Sequence, residues 1–183
     1  MNIINRSNFY IITGGPGSGK STLLTALKAH GYQCVDEVAR QIIQEQTRIG
    51  GDAMHTKNKI KFRDLMLAES IRTYLDVNEK SSPVFFDRGI PDLLGYCHLI
   101  NCDVPDQLQS DIAMYRYNKI VFIAPPWEEI YAHDEERKQD WEEAVATYEN
   151  IASAYVDAGY ETIELPKLTV DERVEFVLTC ISK

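Results

Sequence analysis

Eight residues near the start constrain this chain more than any others. Gly14-Gly15-Pro16-Gly17-Ser18-Gly19-Lys20-Ser21 fits the pattern G-x-x-x-x-G-K-[ST]. The pattern has meaning only between a buried strand and a helix, and the flanking residues supply both. Phe9-Tyr10-Ile11-Ile12-Thr13 is a short apolar run that reads as a buried strand. Ser21 to His30 carries Leu23, Leu24 and Leu27 at helical spacing, and Gly31 follows as a stop signal.

Each residue type in the loop answers a physical need. Glycines allow backbone conformations closed to other residues and bring N–H groups close to an anion. The helix that begins here adds its N-terminal partial charge. Gly14, Gly15, Pro16, Gly17, Ser18 and Gly19 are therefore expected to wrap a polyphosphate. Lys20 is expected to bridge its β- and γ-phosphates, and the Ser21 hydroxyl to reach Mg²⁺. Thr22 offers a second hydroxyl for the α-phosphate. The implied ligand is ATP, with GTP open, together with Mg²⁺.

The rest of the chain repeats a strand–helix alternation. Gln33–Val35, Val84–Asp87, Lys119–Ile123 and Glu161–Leu165 read as further strands. Helical patterns fill Val38–Gln46, Lys57–Asn78, Asp92–Ile100, Pro105–Arg116, Trp141–Ala158 and Val170–Ile181. Five short strands separated by helices predict an α/β fold with a parallel sheet covered on both faces. No linker or repeat interrupts the pattern, so residues 1–183 are expected to form a single nucleotide-binding domain.

Charge narrows the partners. The net charge of −9 argues against nucleic acid and against an anionic membrane surface as partners. No apolar run approaches the roughly 20 residues of a membrane helix. Met1 to Asn8 lacks the layout of a signal peptide. Four cysteines without C-x-x-C spacing read as free thiols. A cytoplasmic location and a small-molecule partner are expected; a homodimer is compatible with the sequence.

Among phosphate-loop proteins, absent motifs discriminate. Asn118-Lys119 is followed by Ile120-Val121, so the N-K-x-D base reader of GTPases is missing. A Ser-Gly-Gly-Gln signature of transporter ATPases is also missing. Ring-forming motors usually follow the strand carboxylate with Glu, whereas Asp87 precedes Arg88. A compact kinase-like domain remains, working by positioning and charge neutralisation. Three further pieces fit it. Asp36-Glu37 ends the second strand, where a carboxylate can orient an acceptor hydroxyl. Glu37 is the leading candidate, with Asp36 and Arg40 beside the substrate. Asp87 ends the third strand and is the candidate metal carboxylate, with Arg88 touching substrate or phosphate. Arg137, in His133-Asp134-Glu135-Glu136-Arg137-Lys138, is the candidate lid arginine. Trp127 is read as core packing, with a place beside the nucleotide base as the alternative.

The set formed by Gly14–Ser21, Asp36-Glu37-Val38-Ala39-Arg40, Phe86-Asp87-Arg88-Gly89 and Asp134–Arg137 resembles a family of small AAA-type ATPases. That family is similar to the ribosylnicotinamide kinase module of NadR. The resemblance covers essentially the whole chain. It implies a nucleoside-kinase-like fold with strand order 2-3-1-4-5. It also implies ATP at Lys20 and Ser21, Glu37 and Asp87 facing the second substrate, and a lid around Arg137. The leading expectation is an ATP- and Mg²⁺-dependent kinase of a small hydroxyl-bearing, nucleoside-like metabolite. The alternative is an ATPase or nucleotide-dependent binding module that regulates a partner protein.

Overall fold

The computed structural model describes residues 2–78, 82–131 and 141–182. In chain order the elements are β1 (Ile4–Asn5), β2 (Phe9–Gly14), α1 (Lys20–Ala29), β3 (Gln33–Val35), α2 (Val38–Ile49), α3 (Lys59–Asp76) and β4 (Val84–Asp87). There follow α4 (Asp92–Leu99), α5 (Asp106–Met114), β5 (Tyr115–Arg116), β6 (Ile120–Ala124), a 3₁₀ turn (Glu128–Ile130), α6 (Trp141–Asp157), β7 (Glu161–Glu164) and α7 (Val170–Ile181).

β3, β4, β2, β6 and β7 pair side by side in that order, all in parallel. Counted as the five main strands, this is the order 2-3-1-4-5. Alternation along β2 explains the layers, because successive strand residues face opposite sides. Phe9 and Ile11 enter one apolar cluster with Phe86, Tyr74 and Ile90, on the side of α3, α4 and α6. Ile12 enters the other with Phe85, Phe122, Leu23 and Val174, on the side of α1 and α7.

Register places the functional edge. Ile12 lies opposite Asp87, Gly14 opposite Ala124, and Val35 opposite Phe86. The loop at Gly14, the carboxylate at Asp87 and the turn at Glu37 therefore leave the same edge of the sheet, on three adjacent strands.

One expectation fails locally. Tyr115-Arg116 does not continue a helix; it forms β5, paired in parallel with β1. The Tyr74 hydroxyl donates to the carbonyls of Ile4 (3.0 Å) and Arg116 (2.8 Å). The Arg116 guanidinium lies 4.0 Å over the Tyr160 ring and donates to the Ala158 carbonyl. These tertiary contacts outweigh the helical pattern. No helix among the described residues is long and apolar enough to cross a membrane.

Candidate functional site

The loop from Gly14 to Gly19 is shaped by close backbone approach. Gly14 has φ 132°, and a Cβ there would lie 2.3 Å from the Ala124 carbonyl oxygen. Gly19 has φ 77° and forms the left-handed cap from which α1 starts. Pro16, Gly17, Ser18, Gly19, Lys20, Ser21 and Thr22 all line one large cleft of about 1400 Å³. Gly14 and Gly15 are buried behind them. The Lys20 ammonium donates to the carbonyls of Gly14 (3.0 Å) and Gly15 (2.6 Å). Burial, then the Arg88 cation, lower its pKa to about 8, against the pull of Asp87 and Glu37. A desolvated ammonium of this kind gains when an anion joins it.

Across from the loop stands a chain of charges. Arg88 Nε donates to Glu37 Oε1 at 3.0 Å, and Arg88 Nη1 donates to Asp92 Oδ1 at 3.0 Å. Arg40 Nε reaches the other Glu37 oxygen at 3.3 Å. Burial would raise the Glu37 pKa, but Arg88 and then Lys20 outweigh it, and the carboxyl is held below its ordinary value. Arg88 has φ 72°, which is strained for a bulky residue. Asp92 and Glu37 hold it there.

Asp92 is the hub of this arrangement. Besides Arg88 it accepts from the Thr13 hydroxyl (2.5 Å), the Tyr155 hydroxyl (2.5 Å) and the Gly89 amide (2.8 Å). It thus joins the strand that feeds the loop, α6 and the substrate-side arginine. Asp92-Leu93-Leu94-Gly95 spells a D-x-x-G, as in GTPase switches, but it opens α4 and its carboxylate is fully engaged inside the protein.

Asp87 differs from both neighbours. It is 9% exposed, and its Oδ1 has no hydrogen-bond partner. Burial pushes its pKa up to about 6, opposed by Lys20 and helped by Glu37. Two carboxylates on adjacent strand ends therefore have opposite tendencies. Glu37 is clamped as an anion, while Asp87 carries an unmet demand for a cation or a proton. An unpartnered carboxylate oxygen facing the same edge as a Ser21 hydroxyl suits Mg²⁺, which takes one or two protein oxygens and fills the rest with phosphate and water.

Of the other candidates, Arg40 lines the cleft. Asp36 does not join the set: its side chain is 72% exposed and accepts from the Lys28 ammonium at 2.6 Å. Adjacent residues at a strand end point to opposite sides, and Glu37 takes the inward one. Arg137 lies outside the described residues. Trp127 is half-buried and lines the cleft rather than the core. The Arg173 guanidinium sits 5.9 Å from its ring. Arg173 is 3% exposed, donates to the Ser18 carbonyl at 3.4 Å, and backs the phosphate loop from α7. Asp92 and Arg173 were not singled out from sequence. A capping-like Asp and one arginine in a charged helix carry no local signal.

A family model described as an AAA domain matches residues 9–173. No curated protein matches the chain in sequence. Solved structures do resemble it. Deoxyadenosine kinase from M. mycoides, described with dCMP and dCDP bound, has a TM-score of 0.69 at 16% identity, covering 95% of this chain and 98% of that one. NadR protein in complex with NR has a TM-score of 0.71 at 20% identity, covering 96% of this chain and 50% of that one. Shikimate kinase from Acinetobacter baumannii in complex with shikimate has a TM-score of 0.61 at 12% identity, covering 95% and 92%. At these identities the likeness establishes the fold: a phosphate-loop α/β domain. The chain belongs to the AAA domain family.

Proposed function

We propose that this AAA domain protein is an ATP- and Mg²⁺-dependent kinase that phosphorylates a small, hydroxyl-bearing, nucleoside-like metabolite. One observation carries the reading. Lys20, Glu37 and Arg88 line one cleft that continues past them between α2, α3 and α4, and Asp87 lines the small cavity that adjoins it at Glu37 and Arg88. A plain ATPase needs the loop and a water; this cleft has room for a second substrate.

The roles follow from the charges. Main-chain amides of Gly15–Gly19 and the start of α1 hold the polyphosphate. Lys20 turns from its own loop carbonyls to the phosphate oxygens. Ser21 and Asp87 would hold the Mg²⁺, which neutralises charge on the phosphoryl group in transfer. Glu37 accepts a hydrogen bond from the acceptor hydroxyl and aims it at the phosphorus. Its lowered pKa makes it a weak base, which suits a loose transition state where little proton transfer precedes bond breaking. Arg88, fixed by Asp92, keeps Glu37 in place and lends positive charge at the point of transfer. Trp127 and Arg173 flank the donor side, where a nucleotide base can stack.

The likeness to a deoxyadenosine kinase and to a shikimate kinase supports a small-molecule acceptor. The test is ADP release with ATP, Mg²⁺ and a panel of nucleosides and ring alcohols. Release that depends on one acceptor class supports the proposal. Release that no acceptor changes contradicts it and favours the regulatory ATPase.

A further inference from the structure

Resting on that kinase reading, we propose that the acceptor is an acid: a ring-bearing, nucleoside-like alcohol with a carboxylate or phosphate at the end remote from the reacting hydroxyl. The observation is the ordering of three chemical zones along the slot between α2, α3 and α4.

The floor is fixed by Glu37 at the head of α2. A small cavity there is lined by Phe86, Asp87 and Arg88 together with Met66, Ser70 and Thr73 of α3. From the floor, α2 presents Arg40, Ile43, Gln44 and Thr47 to the cleft. Their three- and four-residue spacing is one helical face. α3 begins at the opposite end, where His55 and Lys59 line the same cleft, followed by Phe62 and Met66. The seven helical steps from Lys59 to Met66 rise about 10 Å, so the mouth lies about that far from the floor. That distance matches a nucleoside measured from its primary hydroxyl to the outer edge of its base.

The middle zone is apolar and aromatic. The Phe62 and Tyr96 rings meet edge to face at 6.1 Å, and the His55 ring lies 6.1 Å from Phe62. With Ile43, Met66 and Leu93 they make a wall for a flat ring.

The mouth is cationic in a protein of net charge −9. Lys59 makes no ion pair with a described residue, and the first turn of α3 holds no acid. Asp52, in the loop ahead of α3, is turned to Lys61 at 3.1 Å. Among the described residues lining the cleft, the carboxylates on the acceptor side are Glu37 and Asp92, both on the floor and both paired with Arg88. Glu143 belongs to the donor side, on α6 with Thr147. An anion entering the mouth meets Lys59, His55 and the positive end of α3. A cationic ring meets like charge there.

The experiment uses the full chain with a non-hydrolysable ATP analogue and Mg²⁺. Calorimetry compares matched pairs: 5-carboxyuridine against uridine for a carboxylate at the outer edge of the base, and 4-(hydroxymethyl)phenyl phosphate against 4-(hydroxymethyl)phenol for a phosphate. The expected result is that the acid of at least one pair binds at least about tenfold tighter than its neutral partner. Lys59→Ala combined with His55→Ala should erase that preference and leave the analogue's affinity unchanged; Lys59→Arg should keep it. Both residues are exposed, so the variants are expected to fold. The proposal is overturned if neither acid binds, if the neutral partners bind as well, or if the preference survives the double variant. Acid preference without acceptor-dependent ADP release removes the kinase reading alone. ADP release confined to neutral acceptors removes this inference alone.

Discussion

In the proposed kinase the phosphate loop works through main-chain amides and the Lys20 ammonium, and its other side chains matter mainly by being small. At the acceptor slot the reverse holds, because the walls are side chains of α2, α3 and α4 and the backbone is busy inside its helices. Backbone recognition is general: any nucleoside triphosphate offers the same oxygens. Side-chain recognition is particular, since Arg40 and Lys59 lie outside the apolar core and can be changed without disturbing it, whereas Phe62 belongs to that core. One end of the cleft should therefore tolerate little substitution but discriminate little. The other should tolerate more and decide what is phosphorylated.

The largest expected effect tests the loop end. Lys20→Ala should weaken nucleotide binding by about 100-fold, the scale of a lost charge-assisted contact. Circular dichroism should be unchanged, because the buried ammonium is a cost to the nucleotide-free protein rather than a support. Unchanged affinity by calorimetry would break the contrast at its stronger side.

Next comes the junction between the two ends. Asp87→Asn should lower kcat by about 10²–10³, the size of losing one charge-stabilising contact in a transition state, and change nucleotide affinity by only a fewfold. It should also raise the melting temperature of the nucleotide-free protein near pH 7. The sign follows from linkage. The folded pKa is raised to about 6 from 3.8. The folded state therefore keeps a proton that the unfolded chain has lost, and stability from this group declines as pH rises from about 4 to 6. Above that window the ionised Asp87 is a liability of at most about 3 kcal/mol, which Asn removes. In the protein free of nucleotide and metal the Asp87 carboxyl should titrate near pH 6, and Mg²⁺ with nucleotide should lower that value. A variant with no gain in melting temperature, or an Asp87 titration that Mg²⁺ and nucleotide leave unmoved, would contradict this assignment.

Glu37→Gln should cost about 10²-fold in kcat, since it removes the anion that orients the hydroxyl and unpairs Arg88. ATP affinity should stay within threefold. An equal fall in both would place Glu37 on the donor side. The smallest effect is expected at Arg40→Ala. Its side chain is 59% exposed, so stability should move by less than about 0.5 kcal/mol. The acceptor KM should still rise, by about three- to tenfold, with kcat little changed.

The same contrast explains what could be read in advance. The loop is legible because its backbone shape forces residue types at Gly14 and Gly19, between a buried strand and the start of α1. The three central strands β2, β4 and β6 are legible because they are short buried apolar runs, while the edge strands β3 and β7 are half-exposed and are set by the turn and helix signals around them. Asp92 escaped because its four partners come from β2, α6 and the turn after β4. Only the folded sheet brings them together. Arg173 escaped for the same reason, lying 154 residues from the Gly19 carbonyl it approaches. Trp127 was misjudged because a tryptophan after two prolines looks alike whether it faces the core or a cleft. Asp36 and Glu37 could not be separated until the end of β3 fixed which of them turns inward.

The central claim is that one cleft moves a phosphoryl group from a nucleotide to a small acceptor. The direct measurement is the ratio of phosphorylated acceptor to ADP, read by phosphorus NMR during turnover with ATP and Mg²⁺. The account predicts one phosphorylated acceptor for each ADP, at a rate that falls by at least tenfold when the acceptor is withheld. Inorganic phosphate formed in equal amount to ADP, at a rate no acceptor alters, would contradict it.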